Sequence, residues 1–216
     1  MKTAKRVVKN FLSLSFAQVI SQIITFLVIV YLARVLGAAN FGKINFAQGV
    51  ILYFILITNL GLTTLGVREI ARSKDNINSY IGTLITLRLI LAIFSFCLVL
   101  VFISLIAKPV EIKYLIAFYG LSIFPSALLI EWVFQGIEKM QFIGISRILG
   151  RISYAGLIFI LIKNAKQLLL IPCLWVVGSI VATGFLIYLF VKRFGRIRLR
   201  FNFSLAKKLI KRSLPM

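Results

Sequence analysis

Four charged residues lie inside long apolar runs: Arg88, Arg147, Arg151 and Glu131. A charge in such surroundings is costly unless it is paired, hydrated or able to snorkel to an interface. Three guanidinium groups against one carboxylate leave a surplus of positive charge that an anion would neutralise. Arginine suits phosphate, because its planar fork donates two parallel hydrogen bonds. The three arginines are therefore candidates for holding a pyrophosphate. The competing structural reading pairs Glu131 with Arg147 and lets Arg88 snorkel. Other chemistry has little material. The chain has no His and five Asp+Glu, which removes His-based acid–base catalysis and most metal sites, and no cofactor is expected.

Uncharged polar residues are spaced to share faces. Ser15, Gln18, Gln22 and Thr25 are separated by three, four and three residues, which puts them on one side of a helix. A second run carries Asn45, Gln48, Asn59 and Thr63, with Gln48 and Asn59 about three helical turns apart. Ser179 and Thr183 are one turn apart, beyond Pro172. Gln18, Gln22, Asn45, Gln48 and Asn59 are the candidates for facing a sugar across a wet cavity. The plainer alternative is interhelical hydrogen bonding, worth about 0.6 kcal/mol per bond. Glu131 and Glu69 are the carboxylates available for coupling to protons, or for plain ion pairing.

The elements that carry these residues are membrane helices. Of 216 residues, 61% are hydrophobic and 14% charged, against about 45–50% and 25% in a soluble domain. That composition excludes a soluble enzyme, a disordered chain and a disulfide framework; Cys97 and Cys173 read as buried thiols within apolar runs. Six segments are long enough to cross the hydrocarbon: 11–36, 42–66, 80–107, 112–136, 142–163 and 168–191. Pro125, mid-way along the fourth, predicts a kink there. The expected fold is all-α and polytopic, with a basic arm at 1–10, a six-helix lobe at 11–191 and a basic segment at 192–216.

The net charge of +21 is unevenly distributed. With residues at span ends counted to the connection they adjoin, alternate connections divide the basic residues 17 to 6, and the richer side includes both ends of the chain. The excess places both termini in the cytoplasm. From Leu205 the pattern is amphipathic, with Leu205, Leu209 and Ile210 opposite Lys207, Lys208 and Lys211, as expected of an in-plane helix on anionic lipid rather than a nucleic-acid-binding element. Residues 207–214 also resemble residues 5–12, with Lys5/Lys207, Lys9/Lys211 and Leu12/Leu214 identical. The expectation is a second, parallel six-helix repeat that begins here and is cut short.

Three motifs bring in a resemblance. YLARVLGAANFGKINFAQ (31–48), NLGLTTLGVREIAR (59–72) and EWVFQGIEKM (131–140) resemble segments of the Wzx-type O-antigen and capsule flippases, members of the multidrug/oligosaccharidyl-lipid/polysaccharide (MOP) superfamily. The resemblance covers nearly the whole chain. It implies two six-helix lobes around a cationic cavity, of which this chain supplies one, in a bacterial cytoplasmic membrane. It further implies an undecaprenyl-pyrophosphate-linked oligosaccharide as cargo, alternating access as mechanism and the polysaccharide polymerase machinery as a partner. Rival readings are a cation-coupled drug exporter of the same superfamily, which would want acidic residues in its cavity, a membrane-embedded glycan-modifying enzyme, and a non-transporting scaffold.

Overall fold

Backbone amides in hydrocarbon must find partners within the chain, and a helix provides them locally. The computed structural model describes residues 2–59, 61–72 and 77–195, and shows helices and no strand among them. In order they are α1 (Lys2–Asn59), α2 (Leu62–Arg72), α3 (Ile77–Leu105), α4 (Val110–Gly120), α5 (Ile123–Leu128), α6 (Glu131–Gly136), α7 (Gln141–Leu161), a 3-10 turn (Ala165–Gln167) and α8 (Leu170–Phe194). The fold is all-α and polytopic, as the composition requires.

α1 would be about 87 Å long if straight, nearly three hydrocarbon thicknesses. It is broken at Gly37, with φ 73° and ψ 166°, a region essentially closed to residues with a Cβ. Asn40 donates from Nδ2 to the Leu36 carbonyl at 3.3 Å, taking up an acceptor at the break. The two limbs fold back on each other. Gln18 on the first limb reaches Arg147, the partner of Glu131, while Asn59 at the end of the second reaches Arg88, which also binds the Leu129 carbonyl. α1 thus supplies two crossings. α3, the α4–α6 segment, α7 and α8 supply four more, each long and apolar enough to span.

Contacts at the two ends confirm the alternation. Lys43 pairs with Glu111 at 2.6 Å, and the Tyr31 hydroxyl donates to the Ile162 carbonyl at 2.7 Å, at the end that holds Gly37. At the other end Asn10 donates to the Glu138 carbonyl at 3.0 Å, and Arg193 lies over the Phe142 ring at 4.6 Å.

Three expectations are corrected. The second apolar run does not continue to residue 66. Its helix stops at Asn59, Gly61 turns the chain at φ 71°, and α2 is a separate amphipathic helix. α2 buries Leu62, Leu65 and Ile70, and Gly66 lies so close to the Trp132 indole of α6 that a Cβ would not fit. The fourth crossing is three helices, and the break lies before Pro125 rather than at it. The proline ring would collide with the carbonyl four residues back, so the chain yields between Gly120 and Ile123. Restarting there puts Pro125 in the first turn of α5, where no N–H is needed. A second break follows at Leu129 and Ile130. Cys97 is not buried; it is exposed on α3, and Cys173 is partly buried.

α7 and α8 approach each other closely at two glycines. A Cβ on Gly150 would fall 2.8 Å from the Gly178 carbonyl oxygen, and one on Gly178 2.8 Å from that of Gly150. Small residues at such crossings let backbones touch where the hydrophobic effect contributes little. The predicted helix from Leu205 and the sequence repeat at 207–214 lie outside the described residues.

Candidate functional site

A cavity of about 560 Å³ lies between the first limb of α1, the broken fourth crossing, α7 and α8. The helical period explains most of its polar wall. Gln18, Ser21, Gln22 and Thr25 stand at i, i+3, i+4 and i+7 along α1 and line one side. Arg147 and Arg151, one turn apart on α7, line the opposite side. α8 contributes Trp175, Ser179 and Thr183, again at one-turn spacing. Glu131 enters from the start of α6, placed there by the break at Leu129 and Ile130.

The charged groups of the cavity divide into a neutralised pair and an unpaired cation. Arg147 donates to Glu131 through both edges of its fork, Nε to Oε1 at 3.0 Å and Nη2 to Oε2 at 2.6 Å. Its Nη1 also reaches Gln18 Oε1 at 3.5 Å. Arg151 forms no hydrogen bond or ion pair among the described residues. Its guanidinium lies over the Trp175 ring, 4.7 Å from the centroid. Tyr154 meets the same indole edge-on, at 5.3 Å and 85°. A ring contact uses none of the guanidinium N–H groups, so Arg151 presents donors and a positive charge to the cavity without a protein acceptor among the described residues.

The hydroxyls turn inward on the backbone. Ser179 donates to the Trp175 carbonyl at 2.9 Å, Thr25 to the Ser21 carbonyl at 2.8 Å, and Thr183 crosses to the Pro125 carbonyl at 3.1 Å. Their oxygens remain available as acceptors. The Ser21 hydroxyl is buried without a partner among the described residues.

The sequence-derived candidates are only partly brought together. Gln18, Gln22, Glu131, Arg147 and Arg151 meet in the cavity. Arg88, 3% exposed, lies behind its wall. There it donates to the carbonyls of Leu129 (2.9 Å) and Ser126 (2.7 Å) and to Asn59 Oδ1 (2.8 Å). Asn59 is thereby occupied as an acceptor. Asn45 is exposed and Gln48 half-buried on the second limb of α1, away from the cavity lining, and Glu69 is on α2. Of the two amide stripes, only that of the first span faces the cavity. Sequence reasoning missed Trp175 and Tyr154. The one available signal was an aromatic pair on the two runs that also carry Arg151 and Ser179, which reads equally as core.

Known proteins match this chain along most of its length. The pattern of the polysaccharide biosynthesis protein family fits residues 7–216. Among curated proteins, one named "Putative O-antigen transporter" from Shigella dysenteriae is 29% identical over 163 residues, covering 74% of this chain and 41% of the relative. Another of the same name, from Escherichia coli (strain K12), is 26% identical over 163 residues, covering 74% and 39%. The chain thus spans about two fifths of the length of these relatives. No solved structure matches it. With a family match that takes in nearly every residue, and a helical membrane fold beneath it, the chain belongs to the polysaccharide biosynthesis protein family.

Proposed function

We propose that this chain is one lobe of a flippase-type transporter that moves a lipid-linked oligosaccharide across the bacterial cytoplasmic membrane. Arg151 takes the pyrophosphate of the lipid carrier, with Arg147 beside it, and Gln18 and Gln22 face the sugar. Undecaprenyl pyrophosphate is the carrier that this chemistry fits. A second lobe completes the transport path and rocks against this one, and the family and the named relatives support a transport rather than a catalytic role. Both termini face the cytoplasm, where the basic segments meet anionic lipid, and the polymerase that extends the glycan is the partner on the far side.

The observation that carries the reading is the state of Arg151. It is a cation in a membrane-depth cavity, held over the ring of Trp175 and left without a protein anion among the described residues. The same observation weighs against a cation-coupled drug exporter, whose cavity needs surplus acid; here Glu131 is already engaged by Arg147.

Complementation tests it. The complete gene is placed in a strain lacking its own flippase and supplied with the matching glycan pathway. Surface polysaccharide returns with the parent sequence and falls at least tenfold with Arg151→Gln at equal membrane abundance. Normal surface polysaccharide with Arg151→Gln would remove the pyrophosphate role, and no restoration by the parent would remove the flippase reading.

A further inference from the structure

A helix broken within a membrane exposes carbonyls that hydrocarbon cannot satisfy. The fourth crossing is broken twice, and side chains from neighbouring helices cover the carbonyls next to its breaks. Thr183 of α8 takes Pro125, and Arg88 of α3 takes Ser126 and Leu129 while also holding Asn59 at the end of α1. Two residues beyond Leu129 stands Glu131, the first residue of α6 and the partner of Arg147 in the cavity.

We infer that Arg88 is a positioning residue: by capping the end of α5 it fixes the break from which Glu131 is aimed at Arg147, and so sets the charge of the cavity without touching what binds there. The geometry is specific to a forked donor. One guanidinium spans two carbonyls at the end of α5 and the side-chain amide of Asn59, on two segments of chain. Its Nε is buried without a hydrogen-bond partner among the described residues. The cation also lies at the carbonyl end of α5, where the exposed backbone acceptors favour positive charge. The cavity arm of the inference rests on the proposed pyrophosphate site; the backbone arm does not.

The test uses the full-length protein in nanodiscs, with undecaprenyl pyrophosphate as the probe. Hydrogen exchange over residues 126–134 is followed in parallel. Arg88→Gln raises exchange in that segment about tenfold and weakens probe binding about tenfold, and Arg88→Lys recovers part of both. Because Arg88 acts through Glu131, adding Arg88→Gln to Glu131→Gln costs no further affinity, the mark of two residues acting on one term. Independent, multiplying losses, or unchanged exchange at 126–134, would overturn the inference. If the parent protein binds no probe, the pyrophosphate reading fails and exchange alone decides. A rise confined to 126–134 upholds the positioning role. A rise spread over every helix reduces Arg88 to general support of the fold and overturns it.

Discussion

The guanidinium of Arg151 lies over the indole of Trp175, 4.7 Å from its centroid, bridging α7 and α8 across the cavity wall. The stack fixes the direction in which the cation presents its donors. A cation–π contact of this kind is worth about 0.5–2 kcal/mol. Trp175→Leu is therefore expected to weaken binding of a pyrophosphate lipid by up to about tenfold, as the cation becomes mobile, while leaving its charge in place. Arg151→Gln is expected to cost more, since it removes the charge as well. Titration of the purified protein with undecaprenyl pyrophosphate checks the order; equal losses would show that Trp175 contributes only bulk.

Glu131 and Arg147 are expected to behave as a unit in stability. The Glu131 side chain is 16% exposed and that of Arg147 40%, so removing the arginine strands the more buried charge. Breaking a well-buried pair costs about 3–5 kcal/mol, and this partly exposed pair is expected to lose less. Arg147→Met should lower the thermal unfolding midpoint in detergent, and adding Glu131→Gln should restore part of it. A double variant less stable than either single would contradict the pairing.

The glycine contact between α7 and α8 makes a sharper structural prediction. At Gly150 and Gly178 a Cβ has backbone of the other helix within 2.8 Å, whereas at Gly156 and Gly184, on the same two helices, nothing lies within 4 Å. Gly150→Ala and Gly178→Ala should destabilise the protein. Gly156→Ala and Gly184→Ala should be neutral or stabilising by up to about 1 kcal/mol, from helix propensity. Thermal unfolding of the four single variants settles whether close backbone approach holds the pair.

The orientation proposed from the basic residues is open to direct labelling. With Cys97 and Cys173 replaced by alanine, Ala38→Cys lies at the Gly37 end and Gln141→Cys at the other, both at exposed positions. A membrane-impermeant maleimide applied to spheroplasts should label the first, and the second only after lysis. The reverse pattern would invert the topology and leave the fold unchanged.

Much of this was legible because hydropathy and helical period are local properties. The apolar runs gave six crossings, and the spacings of Gln18 with Gln22 and of Arg147 with Arg151 placed each pair on one face, which the cavity bears out. What could not be read depends on how helices meet. Arg88 sits within an apolar run like Arg151, but its donors go to carbonyls exposed by a break in another crossing. The break itself was foreshadowed by Pro125 and displaced by one turn, because the clash acts on the residue four positions earlier. The stop at Asn59 was hidden because the run stays apolar through Gly61 into α2. Asn45 and Gln48 share a run with Asn59, yet periodicity alone does not say which face of a helix its neighbours cover.

The reversal at Gly37 also bears on how the protein is made. A turn of a single residue joins the two limbs of α1 with no loop between them, so they are expected to enter the membrane together as one hairpin. Arg34 and Lys43 flank that turn, so in the proposed orientation both charges cross the bilayer at its leading tip. A substitution at Gly37 is therefore expected to register first during biogenesis, as a loss of correctly inserted chain, before any defect in the mature protein could be measured.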